Sequence, residues 1–79
     1  MVELDIIIME DKEVGGFISI VPSLPGCHTQ GETLDEVIKN TKEAISLYVE
    51  TLNEEERAEL LRNIPKFFGI QRLELSFLR

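Results

Sequence analysis

The 79-residue sequence has little of several features that would define a function class. Its one cysteine excludes an internal disulfide, and one cysteine with one histidine falls short of the roughly four ligands of a zinc site. The longest apolar run, residues 6–9, is far too short to span a bilayer. Basic residues are scarce, so no direct nucleic-acid binding is expected of a chain with a net charge of −7. The lone cysteine also favours a reducing compartment, which we expect to be the cytoplasm.

The composition is that of one small folded domain. Apolar residues make up 43% of the chain, which favours a core over disorder. A chain of this length buries only about 60–65% of the surface that its unfolded form exposes. We therefore expect modest stability and a benefit from self-association.

Alternating side chains predict three strands in the first part of the chain, over residues 2–10, 17–21 and 27–30. Gly15 and Gly16 supply the positive φ of a hairpin connection between the first two strands. The stretch LPGC, residues 24–27, has the pattern of a type II turn, with proline second and glycine third. An antiparallel meander is therefore predicted.

Two helices and a last strand are predicted to follow. Thr33 and Glu36 have the spacing of a capping box, and apolar residues at helical spacing continue to about Leu52. Asn53 either caps a second short helix, Glu54 to Arg62, or extends the first with a kink. The alternation over residues 70–77 predicts a final strand.

This order predicts a two-layer α+β fold with three antiparallel strands, a long helix, a short helix and a final strand. The final strand is expected to run parallel to one of the first three through a right-handed crossover. One sheet face would meet the long helix. The other face carries more apolar residues than a face in water should, so we expect it to form a homo-oligomer, a dimer or a tetramer. Its candidate residues are Ile7, Met9, Phe17 and Val21.

Residues 15–50, GGFISIVPSLPGCHTQGETLDEVIKNTKEAISLYVE, resemble the HicB-like antitoxin family. The marks are the two glycines before an apolar strand, then VPSLPGC, TQGETLDEV and KEAISLYVE in that order. The resemblance implies a partial ribonuclease-H-like fold and a small basic HicA-type messenger-RNA interferase toxin as partner. Many family members carry a C-terminal DNA-binding domain. We expect residues 1–79 to form a single HicB-like domain without that addition.

Cys27 and His28 are the first candidate site. Neighbouring residues of a strand point to opposite faces, so His28 is poorly placed to activate the Cys27 thiol. We expect Cys27 to pack as a small apolar residue and His28 to face solvent.

Acidic side chains near the second helix are the next candidate site. They form either a solvated helix face or a surface that attracts a basic partner. These residues are Glu50, Glu54, Glu55, Glu56 and Glu59, here called the acidic segment.

The implied ribonuclease-H-like fold suggests a further alternative, a metal-dependent nuclease. Asp5, Glu43 and Glu74 lie on the elements whose acidic residues hold metal ions in true nucleases of that fold. Their strand and helix faces disfavour convergence on one point. We therefore expect no enzyme, no metal and no cofactor. The expected function is an antitoxin that binds and occludes the toxin, and the alternative is a stand-alone oligomeric scaffold or ligand-binding protein without one.

Overall fold

A computed structural model describes residues 3–64 and 68–76, and its elements follow the predicted α+β order. The three strands form one antiparallel sheet in the order β1-β2-β3, and two helices follow them. The elements are β1 Ile7–Glu10, β2 Phe17–Ile20, β3 His28–Gly31, α1 Leu34–Glu50 and α2 Glu54–Arg62.

Short-range hydrogen bonds form both connections of the sheet. In the β1–β2 connection the Asp11 carboxylate accepts from the backbone N–H groups of Glu13 and Val14, at 3.0 and 3.2 Å. In the β2–β3 connection the Cys27 N–H donates to the Leu24 carbonyl at 2.9 Å, and Gly26 has a φ of +81°. Positive φ at the third residue is the mark of a type II turn, which confirms the prediction.

Side-chain caps begin both helices. The Thr33 hydroxyl accepts from the Glu36 N–H at 3.1 Å, while the Glu36 carboxylate accepts from the N–H of Glu32. Asn53 and Glu56 form the complete, reciprocal capping box, at 2.8 and 2.9 Å. Of the two alternatives for Asn53, the structure therefore has the separate second helix.

A chain of three hydroxyl groups joins α1 to the sheet. The Thr41 hydroxyl donates to the Val37 carbonyl and lies 2.5 Å from the Ser19 hydroxyl, which lies 2.9 Å from that of Thr29. Each hydroxyl has one proton, and that of Thr41 is already used. The hydroxyl of Ser19 or that of Thr29 must therefore donate to the Thr41 hydroxyl. The helix supplies the acceptor of this contact and the sheet supplies the donor. Ser19 and Thr41 are buried, and both are fully satisfied.

Gly31 lets the backbone of α1 approach β3 closely. A Cβ atom at Gly31 would lie 2.6 Å from the Val37 nitrogen and 2.9 Å from its Cα. Real side chains do not tolerate such distances to backbone atoms, so glycine is required here for steric reasons. The close approach also buries Val37 at the helix–sheet contact.

The buried core is small and lies beside the β2–β3 turn. Its members are Val21, Leu24 and Cys27, and half-buried side chains surround them. These neighbours are Leu4, Ile6, Ala44, Ile45, Tyr48 and Leu60. Leu60 is the contribution of α2, which has no buried residue of its own.

Two predicted strands are corrected at the ends of the chain. The first begins at Ile7, because residues 3–6 have no ladder partner, and Met1 and Val2 lie outside the described residues. No strand forms over residues 70–75, and the expected parallel pairing is absent from the described part. The physical reason is that a strand exists only beside a partner, and no strand of the sheet lies next to this segment. Phe77, the last predicted strand residue, lies outside the described residues, and the ribonuclease-H-like arrangement stays a prediction.

We predict that Gly31→Ala destabilises the fold by about 1–3 kcal/mol, because the new methyl group must push α1 away from β3. Urea unfolding measures the change. The control is Gln30→Ala in the same strand, an exposed position that should change stability by no more than about 0.5 kcal/mol. Equal stability of the two variants would mean that α1 does not lie this close.

We predict that Thr41→Val destabilises the fold by about 1–3 kcal/mol, since it leaves a buried hydroxyl proton of the sheet without an acceptor. Thr41→Ser keeps the hydroxyl and should lose less stability than Thr41→Val. Chemical denaturation of both variants provides the comparison. A valine variant as stable as the serine variant would contradict the role of the hydroxyl chain.

Candidate functional site

The acidic segment spans the junction of the two helices. Glu50 ends α1, three glutamates form the first turn of α2, and Glu59 follows one turn later. All five side chains are exposed. Glutamates in the first turn of a helix are favoured by the positive end of its dipole, so part of this charge serves the helix itself.

Local contacts use two of the five carboxylates. Glu56 accepts from the Asn53 N–H as part of the capping box. Glu59 accepts from Arg62 at 2.5 Å and from the Asn63 side chain at 2.9 Å. No hydrogen bond within the described residues engages the carboxylates of Glu50, Glu54 or Glu55. These three are the members of the acidic segment that a basic partner could reach without breaking an existing contact.

The sheet face turned away from α1 is a second candidate surface. Cross-strand partners share a face, so Ile7, Ile20 and His28 form one row across the sheet. Met9, Ile18 and Gln30 form the next row. We call these six residues the open face. It is apolar along β1 and β2 and polar along β3.

The structure corrects half of the predicted oligomer face. Ile7 and Met9 do lie on the open face, with Met9 40% exposed. Phe17 shares the helix side with Ser19, and Val21 is buried in the core at 1% exposure, so neither belongs to the open face. Ile18 and Ile20 take their places. Whether this surface joins two copies stays a prediction.

The error in β2 has an identifiable cause. Phe17 and Val21 were assigned to the face away from the helix because they are apolar, but the polar Ser19 between them shares their side of the strand. The Ser19 hydroxyl is satisfied under the helix by Thr29 and Thr41. The available signal was the threonine at position 41 on the apolar face of the predicted helix, which could have supplied the missing partner.

Cys27 and His28 lie as expected, on opposite sides of the strand end. Cys27 is buried, and burial raises the pKa of its thiol. His28 is exposed, and its Nδ1 lies 3.2 Å from the Gly26 carbonyl. A thiol with a raised pKa is largely protonated at neutral pH, which is the opposite of an activated nucleophile.

The carboxylates of the nuclease alternative lie on three exposed parts of the chain. Asp5 precedes β1, Glu43 is on α1 and Glu74 is in the C-terminal segment. Within residues 3–64 and 68–76, no three histidine, cysteine, aspartate or glutamate side chains come close enough to hold a metal ion. In the same ranges, neither helix has the length and apolarity needed to cross a bilayer.

An apolar groove of about 360 Å³ lies where β2 passes into the type II turn. Ile18, Ile20, Pro22 and Pro25 line much of it, and His28 lies at its polar side. It is a continuation of the open face around the edge of the turn. Its mainly apolar lining suits an apolar side chain of a partner better than a charged ligand.

The chain matches a known protein family over most of its length. The family described as the HicB-like antitoxin of bacterial toxin–antitoxin systems matches residues 5–68. This range covers the sheet, both helices and the whole acidic segment. The chain belongs to the HicB-like antitoxin family.

Curated relatives are similar over most of their length. A UPF0150 protein of Archaeoglobus fulgidus is 44% identical over 70 residues, covering 89% of this chain and 91% of the relative. A UPF0150 protein of Helicobacter pylori is 42% identical over 67 residues, which is 85% of this chain and 89% of the relative. One of Thermotoga maritima is 33% identical over 70 residues, with 89% and 85% covered. No solved structure matches the chain significantly.

We predict that the Cys27 thiol makes the stability of the fold depend on pH. The thiol pKa is higher in the folded chain than in the unfolded one because of burial, so its contribution is fully present below the unfolded pKa. It is lost as the pH rises from about 8.5 through the folded pKa, because the unfolded thiol ionises first. Urea unfolding at pH 7 and pH 9.5 should show that the wild type loses more stability than Cys27→Ala. An identical loss in both chains would contradict a buried, protonated thiol.

Proposed function

We propose that this protein is an antitoxin that binds a small basic ribonuclease of the HicA type and occludes its RNA-binding surface. The observation that carries the proposal is the family match over residues 5–68. The charge supports it, because fifteen acidic against eight basic residues favour a basic partner. Neutralisation by occlusion needs no catalytic group on this chain, and we place it in the cytoplasm.

Two kinds of surface would contribute to recognition of the toxin in different ways. The carboxylates of Glu50, Glu54 and Glu55 are exposed and carry no internal hydrogen bond in the described part of the chain, so they would attract the partner over a distance. Packed contacts with apolar surface would then hold the complex. Long-range attraction acts chiefly on the association rate, whereas packed contacts set the dissociation rate.

A second candidate function is a homo-oligomeric scaffold or ligand-binding protein that has no toxin. The open face favours it, because Ile7, Met9, Ile18 and Ile20 form a continuous apolar area on β1 and β2. Such an area on a small domain marks a contact with another protein or a second copy. The two functions are compatible if the open face joins copies and the acidic segment meets the toxin. The metal-dependent nuclease has no supporting constellation among the described side chains.

We predict that a small basic protein is encoded beside this chain, that it forms a complex with the chain, and that co-expression rescues growth from that protein's toxicity. The association rate should fall steeply with salt, because the Debye length shrinks from about 10 Å at 0.1 M to about 3 Å at 1 M. The dissociation rate should change little. Stopped-flow fluorescence or surface plasmon resonance at several salt concentrations measures both rates.

Paired substitutions test the acidic segment. Glu54→Gln with Glu55→Gln should slow association and leave both helix caps intact, since neither residue takes part in the Asn53–Glu56 box. The matched control is Glu13→Gln with Glu43→Gln, which changes the net charge equally at two other exposed positions. Equal slowing by both pairs would assign the effect to net charge alone. If neither a complex nor a rescue of growth is observed, the antitoxin proposal is contradicted and the scaffold function replaces it.

A further inference from the structure

Residues 70–76, here called the tail segment, have the sequence of a strand, but no strand lies beside them within residues 3–64 and 68–76. Leu73 and Leu75 alternate with Arg72, Glu74 and Ser76, which is the pattern of a strand with one buried face. In the single chain this apolar face is in solvent, with Leu73 69% and Leu75 46% exposed. Ile70 is 84% exposed.

The surface of the chain is much larger than a compact monomer of its mass requires. It exposes 6923 Å², whereas a 9.0 kDa monomer typically exposes about 4,900 Å². Its radius of gyration is 15.1 Å, against about 12 Å for a compact domain of this length. The excess is about 2,000 Å² per chain. Two copies that buried it together would form an interface of about 4,000 Å², which lies in the range of obligate homodimers.

The sheet offers a place for one more strand. β1 is an edge strand, and its outer backbone groups have no ladder partner within the described residues. An exposed edge of this kind is a template for pairing with another chain. α1 packs mainly on β3 and β2, so the helix side of β1, where Ile8 lies opposite Ser19, is left partly uncovered.

We propose that the tail segment of a second copy adds as a strand to the outer edge of β1, and that the exchange is reciprocal. Leu73 and Leu75 then lie on the helix side beside Ile6 and Ile8, and Arg72 and Glu74 lie on the other side of the sheet. A two-fold arrangement satisfies both edges with the same contact, so the pairing closes at two chains. The inference goes beyond the proposed antitoxin role, because it requires no toxin and uses neither the acidic segment nor the open face.

The test uses the full chain and its particle mass by light scattering at micromolar concentration. Leu73→Asp with Leu75→Asp places charges on the apolar face of the tail segment and should halve the particle mass. The control, Val14→Asp with Leu47→Asp, makes the same change at side chains that are 81% and 64% exposed elsewhere, and should leave the mass unchanged. A wild-type mass of 9.0 kDa, or a tail variant with unaltered mass, would overturn the proposal.

Cysteine pairing separates exchange between copies from pairing within one chain. In a Cys27→Ala background, a chain with Ile8→Cys is co-refolded with a differently tagged chain carrying Leu73→Cys or Leu75→Cys. A disulfide between unlike chains supports exchange, because same-face neighbours on adjacent strands come within disulfide reach. The control replaces Ile8→Cys with Val14→Cys and should give no such product. A chain with both cysteines that closes only on itself, with no cross-link between unlike chains, would show that each tail segment pairs with its own β1 and would overturn the proposal.

Circular dichroism keeps both experiments interpretable. The tail segment is exposed and contributes nothing to the buried core of Val21, Leu24 and Cys27, so its variants should retain the helical signal. A folded monomer from the Leu73 and Leu75 variant supports the proposal directly. If the particle mass and the helical signal of that variant both fall, the cysteine experiment, which changes no charge, decides whether the proposal holds.

Discussion

The contact between α1 and β3 is the constraint on which the rest of the structure depends. Gly31 removes the side chain that would hold the helix away, and the hydroxyls of Ser19, Thr29 and Thr41 then meet across the gap. Because the helix lies over β3 and β2, it leaves β1 as a partly uncovered edge and the opposite face of the sheet open. The uncovered edge of β1 and the open face are therefore both consequences of one close approach of backbone to backbone.

Local signals in the sequence were sufficient to predict most of the helices, strands and turns. They were not sufficient to predict which face of a strand meets the helix, because that depends on residues far apart in the chain. The turn at residues 24–27 and the N-cap at Thr33 depend on residues close together in the sequence, and both were predicted correctly, whereas two alternatives were left open for Asn53. The side of β2 that meets the helix depends on a partner 22 residues away, the Thr41 hydroxyl, and was predicted wrongly. The prediction of the last strand was wrong for a related reason. Alternation shows that a segment is able to pair, but it does not show that a partner lies beside it.

The candidate surfaces show the same limit. Composition and family resemblance predicted an acidic, HicB-like antitoxin, and the family match confirms the family. Position along the chain could not distinguish a glutamate that caps a helix from one that is available to a partner. Glu56 and Glu59 are engaged by Asn53, Arg62 and Asn63, whereas Glu54 and Glu55 are not. That distinction needs the hydrogen-bond geometry of the helix terminus, which the sequence implies only in part through the capping pattern.

The lack of any buried residue in α2 has a consequence for the timescale of its motion. A nine-residue helix supported by its own cap and by Leu60 opens at little expense in free energy, so its amide protons should exchange with solvent well before those of α1. We therefore expect Glu54 and Glu55 to lie on an element that opens more readily than α1. A partner that binds there would slow this exchange, and some of its binding free energy would be spent on ordering the helix rather than on affinity.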